Sequence, residues 1–419
     1  MSDLVHCVEL PEEIGVAARR LRDRALAREI PVSQVIDVFE RWGQSLIGPE
    51  IDGIPGVPFL RLWLRRGTLE PIVIRELGAG ALSGEWHSDR TARLRSFPLG
   101  LVGHWPAGNI EIQPLLSLTC AALGGNCSLV RVPTGLAAAT RAILAKLCDV
   151  DTDGTIAERI FVASFDHERA DLQRAMAAAV DGAMIWGGAE AVTHVRALPF
   201  PPWARLAVFG PRLSVAAMDG ATWSDASARQ MWCQRIARDV WQFDQQACSS
   251  PQALFLEKCR EGNVAEFASA LAEAFTVENR MHPRQTIHPA LTSAICLARA
   301  TWFLGNGSRG AMFPAGPDWT LLLGDGTDIP TPTQGRTLNI LIVDDLAQPV
   351  SRFDGIVQTL GLAVKDPAME IALAERAARS GVDRITKLGR MHVFGSPWDG
   401  TELIKPMVRI VRHVPSSGD

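Results

Sequence analysis

Phe97-Pro-Leu-Gly-Leu-Val-Gly-His-Trp-Pro-Ala-Gly-Asn109, followed by Gly124-Gly-Asn-Cys-Ser-Leu-Val-Arg-Val-Pro133, decides how this chain is read. Leu99–His104 is an apolar run of strand length that ends in a turn carrying Pro106 and Gly108. Pro114–Leu123 reads as a helix stopped by Gly124-Gly125, and Ser128–Val132 as the next strand. Outward from there the texture repeats. A helix capped by Thr134 runs to about Cys148, followed by strands at Arg159–Ala163, Ala183–Trp186 and Arg205–Phe209. Helices at His167–Val180 and Ala189–Arg196 lie between them. Such alternation predicts a parallel, doubly wound sheet with helices on both faces.

A second α/β unit follows. A helix is expected over about 224–243, then a strand at Gln252–Leu256 and a helix capped by Asn263 with Glu266 three residues on. Strands are expected at Leu321–Leu323, Leu338–Val343, Ile356–Ala363 and Met407–Val411, with a helix at about Ala368–Arg379. Upstream, residues 11–46 read as two amphipathic helices opened by Pro11 and Pro31. Leu60–Leu64 and Pro71–Ile74, around Arg65-Arg66-Gly67, read as a hairpin. The fold class is α/β, with two doubly wound parallel-sheet domains and a cleft between them. Residues 1–95 form a helical and hairpin segment of the first lobe, 96–222 its main part, 223–400 the second lobe, and 401–419 a terminal strand and tail.

Length and composition bound the function. At roughly 150 residues per domain, 419 residues make two or three domains. A hydrophobic fraction of 47% with 21% charged residues excludes a disordered chain. Lys and Arg number 42 against 46 Asp and Glu, a net charge of −4 without a basic run, which points away from nucleic acid. No apolar stretch reaches the ~18 residues of a membrane span, and the start lacks a basic-then-apolar leader, so the cytoplasm is expected. Tyrosine is absent, which excludes families that protonate a carbonyl oxygen with a phenol. Schiff-base chemistry would have to use one of five lysines, at 146, 258, 365, 387 and 405.

None of the eight cysteines shows C-x-x-C spacing, and a disulfide framework is not expected in a large chain without a secretion signal. Most are expected to be small buried hydrophobes. Cys248 differs, because Phe243-Asp-Gln-Gln-Ala-Cys-Ser-Ser-Pro-Gln252 is polar and small where a long helix gives way to a turn. That setting leaves a sulfur accessible.

Other positions carry two readings each. Asn109 follows a strand, where an α/β sheet places ligand contacts, and its amide is able to face a developing oxyanion. On spacing alone, a turn asparagine held by local hydrogen bonds is the better account of it. Trp186-Gly-Gly-Ala-Glu190 lets backbone N–H groups approach a phosphate at a helix start, yet an ordinary tight turn needs the same glycines. Arg131 at a strand end suits a ribose or phosphate, or simply solvent. Asp344-Asp345, without a nearby His or third carboxylate, reads as an acidic helix start; no metal is assigned.

Taken in order, these segments resemble the aldehyde dehydrogenase superfamily, and within it the acyl-CoA reductases of the LuxC type. Residues 97–109 are similar to the segment carrying the oxyanion-hole asparagine, 124–133 to the strand after it, and Asp244–Gln252 to the nucleophile loop in its LuxC form. Gln358-Thr-Leu-Gly361, Gly381–Gly389 and Trp398-Asp-Gly400 extend the likeness, which covers most of the chain from about residue 95. One departure is informative. Hydrolytic members carry a general-base glutamate, whereas the approximate counterpart Leu206-Ala-Val-Phe-Gly-Pro211 has no carboxylate. A thioacyl-enzyme would then not be hydrolysed efficiently, which favours acyl-thioester reduction.

The resemblance implies a reductase that turns an acyl thioester, borne by CoA or a carrier, into an aldehyde. Cys248 would be the nucleophile, and Asn109 with the Cys248 N–H the oxyanion donors. NADPH, or NADH in its place, would lie near Arg131, Gly187, Gly188 and Glu190. It further implies a homo-oligomer, a dimer first of all, with Thr91–Phe97 and Met407–Val411 as the strands joining subunits, and an acyl-transferring partner protein. Two rival readings stay open: an acyltransferase using Cys248 without redox chemistry, and a non-catalytic scaffold subunit.

Overall fold

The computed structural model describes residues 3–27, 29–89, 91–260, 262–284, 286–305 and 307–415. The chain divides into two compact units, Met1–Pro211 with Phe394–Asp419, and Arg212–Val393. The division at 211/212 falls ahead of the 222/223 boundary read from sequence, because a strand at Leu213–Met218 pairs into the second unit's sheet. The last stretch from Phe394 groups with the first unit, so that unit is built from both ends of the chain.

The first unit begins with β1 (Val5–Cys7), α1 (Pro11–Ala27), α2 (Val32–Ser45), α3 (Pro49–Asp52), α4 (Val57–Trp63) and α5 (Arg66–Leu77). The expected hairpin over Leu60–Ile74 is therefore wrong; both segments are helical. Its β-branched residues suggested strands, but burial follows the helical period, with Leu69, Ile72, Val73 and Glu76 on one face of α5. Packing along that stripe overrides both the local propensity and Pro71 inside the helix. β1 was also unforeseen, since three residues carry no periodicity to read.

Next come β2 (His87–Asp89), β3 (Ala92–Pro98), β4 (Leu101–Trp105), α6 (Gln113–Leu123), β5 (Cys127–Val132), α7 (Ala137–Val150) and β6 (Ile160–Ser164). α8 (Ala170–Ala178), β7 (Gly182–Trp186), α9 (Ala189–Arg196) and β8 (Arg205–Phe209) complete the run. Thr134 does not cap α7: its hydroxyl donates to Asp166 at 2.7 Å, and a 3-10 turn precedes the helix. The six-stranded parallel sheet has the order β1-β6-β5-β4-β7-β8. Strands β4, β6 and β7 are buried throughout, as a sheet covered on both faces requires. The chain leaves β4 toward β5 and later returns to β4's other side with β7, so the loops after β4 and β7 flank a topological switch point.

The second unit comprises β9 (Leu213–Met218), α10 (Gly220–Trp223), α11 (Ala226–Trp241), β10 (Pro251–Glu257), α12 (Val264–Met281) and α13 (Pro289–Leu304). β11 (Ser308–Met312), β12 (Thr320–Asp325), β13 (Thr337–Val343), α14 (Ala347–Val350), β14 (Val357–Ala363), α15 (Pro367–Arg379) and β15 (Arg384–Lys387) follow. Asn263 caps α12 as its sequence suggests, accepting from the Ala265 and Glu266 N–H groups. The seven-stranded sheet runs β11-β12-β13-β10-β9-β14-β15, parallel except for β11. β16 (Val408–His413) then joins the first unit, antiparallel to β3 in the small sheet β16-β3-β2. The two segments expected to join subunits thus pair with each other inside the chain, leaving β16 and β2 as the outer edges. Among the described residues no helix is long and apolar enough to cross a membrane.

Candidate active site

In the first unit β4 ends at Trp105, and the turn behind it is tied down by the Ala107 N–H, which donates to Gln113 Oε1 at 2.6 Å. Asn109 is exposed at the tip, and Glu111 is half-buried, its carboxyl pushed above the usual range by burial. A β-carbon at Gly108 would sit 3.4 Å from Pro133, so the turns after β4 and β5 run side by side. Beneath them lies a buried polar knot. His104 reaches Ser117 Oγ at 2.7 Å and Ser128 Oγ at 3.2 Å, and Trp186 Nε1 donates to the same Ser117 oxygen at 3.0 Å. Burial pushes His104 down to about 3, so this imidazole is neutral and structural.

Arg131 at the end of β5 is half-buried. Its Nη2 donates to the Phe165 carbonyl at 3.4 Å and its guanidinium lies over the Phe165 ring, while Nε has no hydrogen-bond partner among the described residues. Gly188 precedes the first residue of α9 and is exposed, and a β-carbon there would meet nothing within 4 Å. Glu190 is exposed in the first turn of α9. Arg131 therefore lies at the carboxyl end of β5, and Asn109, Gly187, Gly188 and Glu190 follow the carboxyl ends of the adjacent strands β4 and β7. An open helix start, an orphaned guanidinium nitrogen and the switch point fit a phosphate-bearing dinucleotide.

Cys248 belongs to the second unit and precedes β10, at the amino end of that sheet. Three consecutive residues before it, Phe243, Asp244 and Gln245, have φ of 54°, 52° and 62°. Left-handed backbone costs about 1–2 kcal/mol per non-glycine residue, so it persists only where side chains dictate it. Here they do. Asp244 pairs with Arg284 at 2.8 Å and Arg336 at 2.7 Å. The fully buried Gln245 amide donates to the Pro251 and Thr337 carbonyls at 2.8 Å each and accepts from the Thr337 N–H at 2.7 Å. It clips the Cys248 loop to the start of β13.

The loop is also held from two further sides. Ser214 Oγ on β9 donates to the Cys248 carbonyl at 2.6 Å. Ser249 Oγ lies 2.9 Å from His392 Nδ1, and His392 Nε2 lies 2.7 Å from the Asp239 carbonyl. The Asp239 carboxylate accepts from the Gly389 and Met391 N–H groups at 2.5 and 3.3 Å. Burial pushes Asp239 up to about 7 and His392 down to about 4. Ser214, Ser249, Gln245 and His392 were not legible as site residues; only the polar texture around Cys248 hinted that its neighbours are engaged.

Accessibility alone does not single out Cys248. Cys120, Cys127 and Cys233 are buried, but Cys148, Cys248 and Cys259 are half-buried and Cys7 and Cys296 exposed, so the expectation that most of the others are buried does not hold. What distinguishes Cys248 is the fixed loop around it. The acidic pair is accounted for locally: Asp345 Oδ1 accepts from the Ala347 N–H at 2.7 Å and Asp344 pairs with Lys258 at 2.5 Å. Among the described residues no group of three or more His, Cys, Asp or Glu side chains is arranged to hold a metal ion.

A sequence model of the acyl-CoA reductase (LuxC) family matches residues 27–410. The chain belongs to that family. It is 23% identical over 352 residues to the long-chain acyl-protein thioester reductase of Aliivibrio fischeri, covering 83% of this chain and 71% of that one. It is 22% identical over 359 residues to long-chain acyl-protein thioester reductase 2 of Photobacterium leiognathi, covering 83% and 70%. Among solved structures, a lactaldehyde dehydrogenase superimposes with a TM-score of 0.71 at 14% identity, covering 97% of this chain and 91% of that one. An NADP-dependent enzyme of E. coli gives 0.72 at 12%, covering 96% and 90%. The LuxC-family chain thus has the aldehyde dehydrogenase fold.

Proposed function

We propose that this LuxC-family protein reduces an acyl thioester to an aldehyde through a thioacyl-enzyme on Cys248. The Cys248 thiolate adds to the thioester carbonyl, and collapse of the adduct breaks the bond to the departing thiol, which leaves with a proton. A reduced nicotinamide dinucleotide, NADPH in preference to NADH, supplies the hydride when bound, held by Arg131, Gly187, Gly188 and Glu190. Asn109 and the Cys248 N–H carry the negative charge on oxygen in both addition steps; loss of one such donor typically costs on the order of 10²–10³ in rate. The oxyanion then expels the Cys248 thiolate and frees the aldehyde.

The observation that best supports this reading is a half-buried thiol on a loop whose backbone is over-determined by Gln245, Ser214 and Ser249. Pre-organisation of that kind suits a nucleophile rather than a packing cysteine. The relatives are named for long-chain acyl groups carried on protein, which makes a protein-borne long-chain thioester the first substrate to test, ahead of acyl-CoA. A homodimer through the β16-β3-β2 sheet accompanies the proposal, since β16 is an edge strand with Ile410 exposed; a light-scattering mass near the 45.4 kDa of one chain would remove it.

The test is nicotinamide consumption over a chain-length series of acyl thioesters, with intact-mass detection of the acyl adduct on the wild type and Cys248→Ala. Reduction and adduct together, both lost in the variant, are expected. Reduction that survives Cys248→Ala overturns the mechanism. Acyl transfer to a second thiol without nicotinamide consumption establishes the acyltransferase instead.

A further inference from the structure

His392 is a buried titratable group that the proposed reaction does not use, and its hydrogen bonds have a defined direction. The Asp239 carbonyl has no proton to give, so the imidazole N–H must be on Nε2, which donates to it at 2.7 Å. Burial holds the ring neutral, leaving a lone pair on Nδ1. The Ser249 hydroxyl therefore donates to His392 Nδ1 at 2.9 Å. His392 is fixed in turn from α11, through the Asp239 carbonyl and the Asp239 carboxyl group on the flanking Gly389 and Met391 N–H groups, and by the Phe243 ring, edge-to-face with it at 5.5 Å between centroids. On the other side of the same peptide Ser214 grips the Cys248 carbonyl, and the Ser250 N–H donates to the Ala247 carbonyl at 2.9 Å.

We propose that His392 is a positioning residue for the nucleophile: acting through the Ser249 hydroxyl, and opposite Ser214 on the Cys248 carbonyl, it fixes the backbone that aims the Cys248 thiol and N–H. The proposal rests on Cys248 being the nucleophile, as argued above. It gives a role to a buried histidine whose two ring nitrogens are both committed, Nδ1 to the Ser249 hydroxyl and Nε2 to the Asp239 carbonyl. Misplacing a reacting group by ~1 Å costs about 10²-fold, so the clamp acts on the rate of acylation and not on thioester binding.

The test uses the full chain with Ser249→Ala, His392→Phe, His392→Gln and Ser214→Ala. Two readouts are taken: single-turnover thiol release, resolved into kcat and KM, and hydrogen exchange of peptides spanning 244–252. Ser249→Ala, His392→Phe and Ser214→Ala are expected to lower acylation kcat about tenfold or more with KM unchanged, and to speed exchange within that loop alone. His392→Gln, whose amide offers both an acceptor and a donor, is expected to recover most of the rate. Unchanged exchange in the loop overturns the proposal. So does faster exchange spread across α11 and β13, which is loss of packing, or a loosened loop with wild-type kcat. Should His392→Phe fail to fold, Ser249→Ala decides. Activity retained by Cys248→Ala refutes the proposed function separately, while the exchange readout still reports on the clamp.

Discussion

Replacing Asp239 by Asn removes a carboxyl that burial pushes from 3.8 to about 7. Between those values the folded chain holds a proton that the unfolded chain has released. Stability contributed by this group is therefore fully present below about pH 4, falls as pH rises toward 7, and is flat above. A shift of ~3 pH units at 1.36 kcal/mol each gives about 4 kcal/mol as the upper limit of that loss. The bonds from the Gly389 and Met391 N–H groups favour the carboxylate but do not outweigh burial. His392 works the other way: its folded value near 4 makes stability rise with pH through the range below its unfolded value. Wild-type profiles mix the two, so the informative quantity is the difference between wild type and Asp239→Asn in urea unfolding across about pH 4 to 7. The variant gains relative to wild type as pH rises. Asn leaves one N–H donor facing an amide NH2, a constant offset of about 1–3 kcal/mol that does not alter the slope. Parallel profiles, or a variant that loses stability relative to wild type as pH rises, would refute the reasoning.

Two further outcomes are expected. The buried Glu76 carboxylate accepts from the N–H groups of Leu403, Ile404 and Lys405 at 3.2, 2.7 and 2.9 Å and from Ser396 Oγ. Glu76→Ala strands those donors and costs on the order of 3 kcal/mol or more, seen as a lower unfolding midpoint and early proteolysis beyond residue 395, with Glu76→Gln in between. Arg131→Ala is expected to raise KM for the nicotinamide more with NADPH than with NADH while leaving KM for the thioester unchanged. Equal losses with both cofactors would show that Arg131 does not read the additional phosphate.

The β4–α6–β5 core of the first unit was legible because its signals are local: an unbroken apolar run, a proline at the helix start, paired glycines at its end. α9 and β8 were read to the residue for the same reason. The helices α4 and α5 were misread because a stripe three and four residues apart competes with β-branched runs, and only burial decides between them. β9 escaped notice because Leu213–Met218 is short, Ala-rich and buried, with no alternation to display. Cys248 and Asn109 were legible as candidates, since their contexts are unlike the rest of the chain. Ser214 and His392 were not, because what matters about each is a partner on another element, and sequence carries no distance between such pairs.

The first unit is closed by β16, the last strand of the chain, which pairs with β3 near its beginning. During synthesis the small sheet must wait, with β3 unmatched on that side, until residues 408–413 leave the ribosome. The uninterrupted second unit carries all its own strands and is complete sooner. Translation thus delivers the module that carries Cys248 before the one that opens the chain. A chain cut just before Val408 would spare the former and leave the latter permanently unfinished.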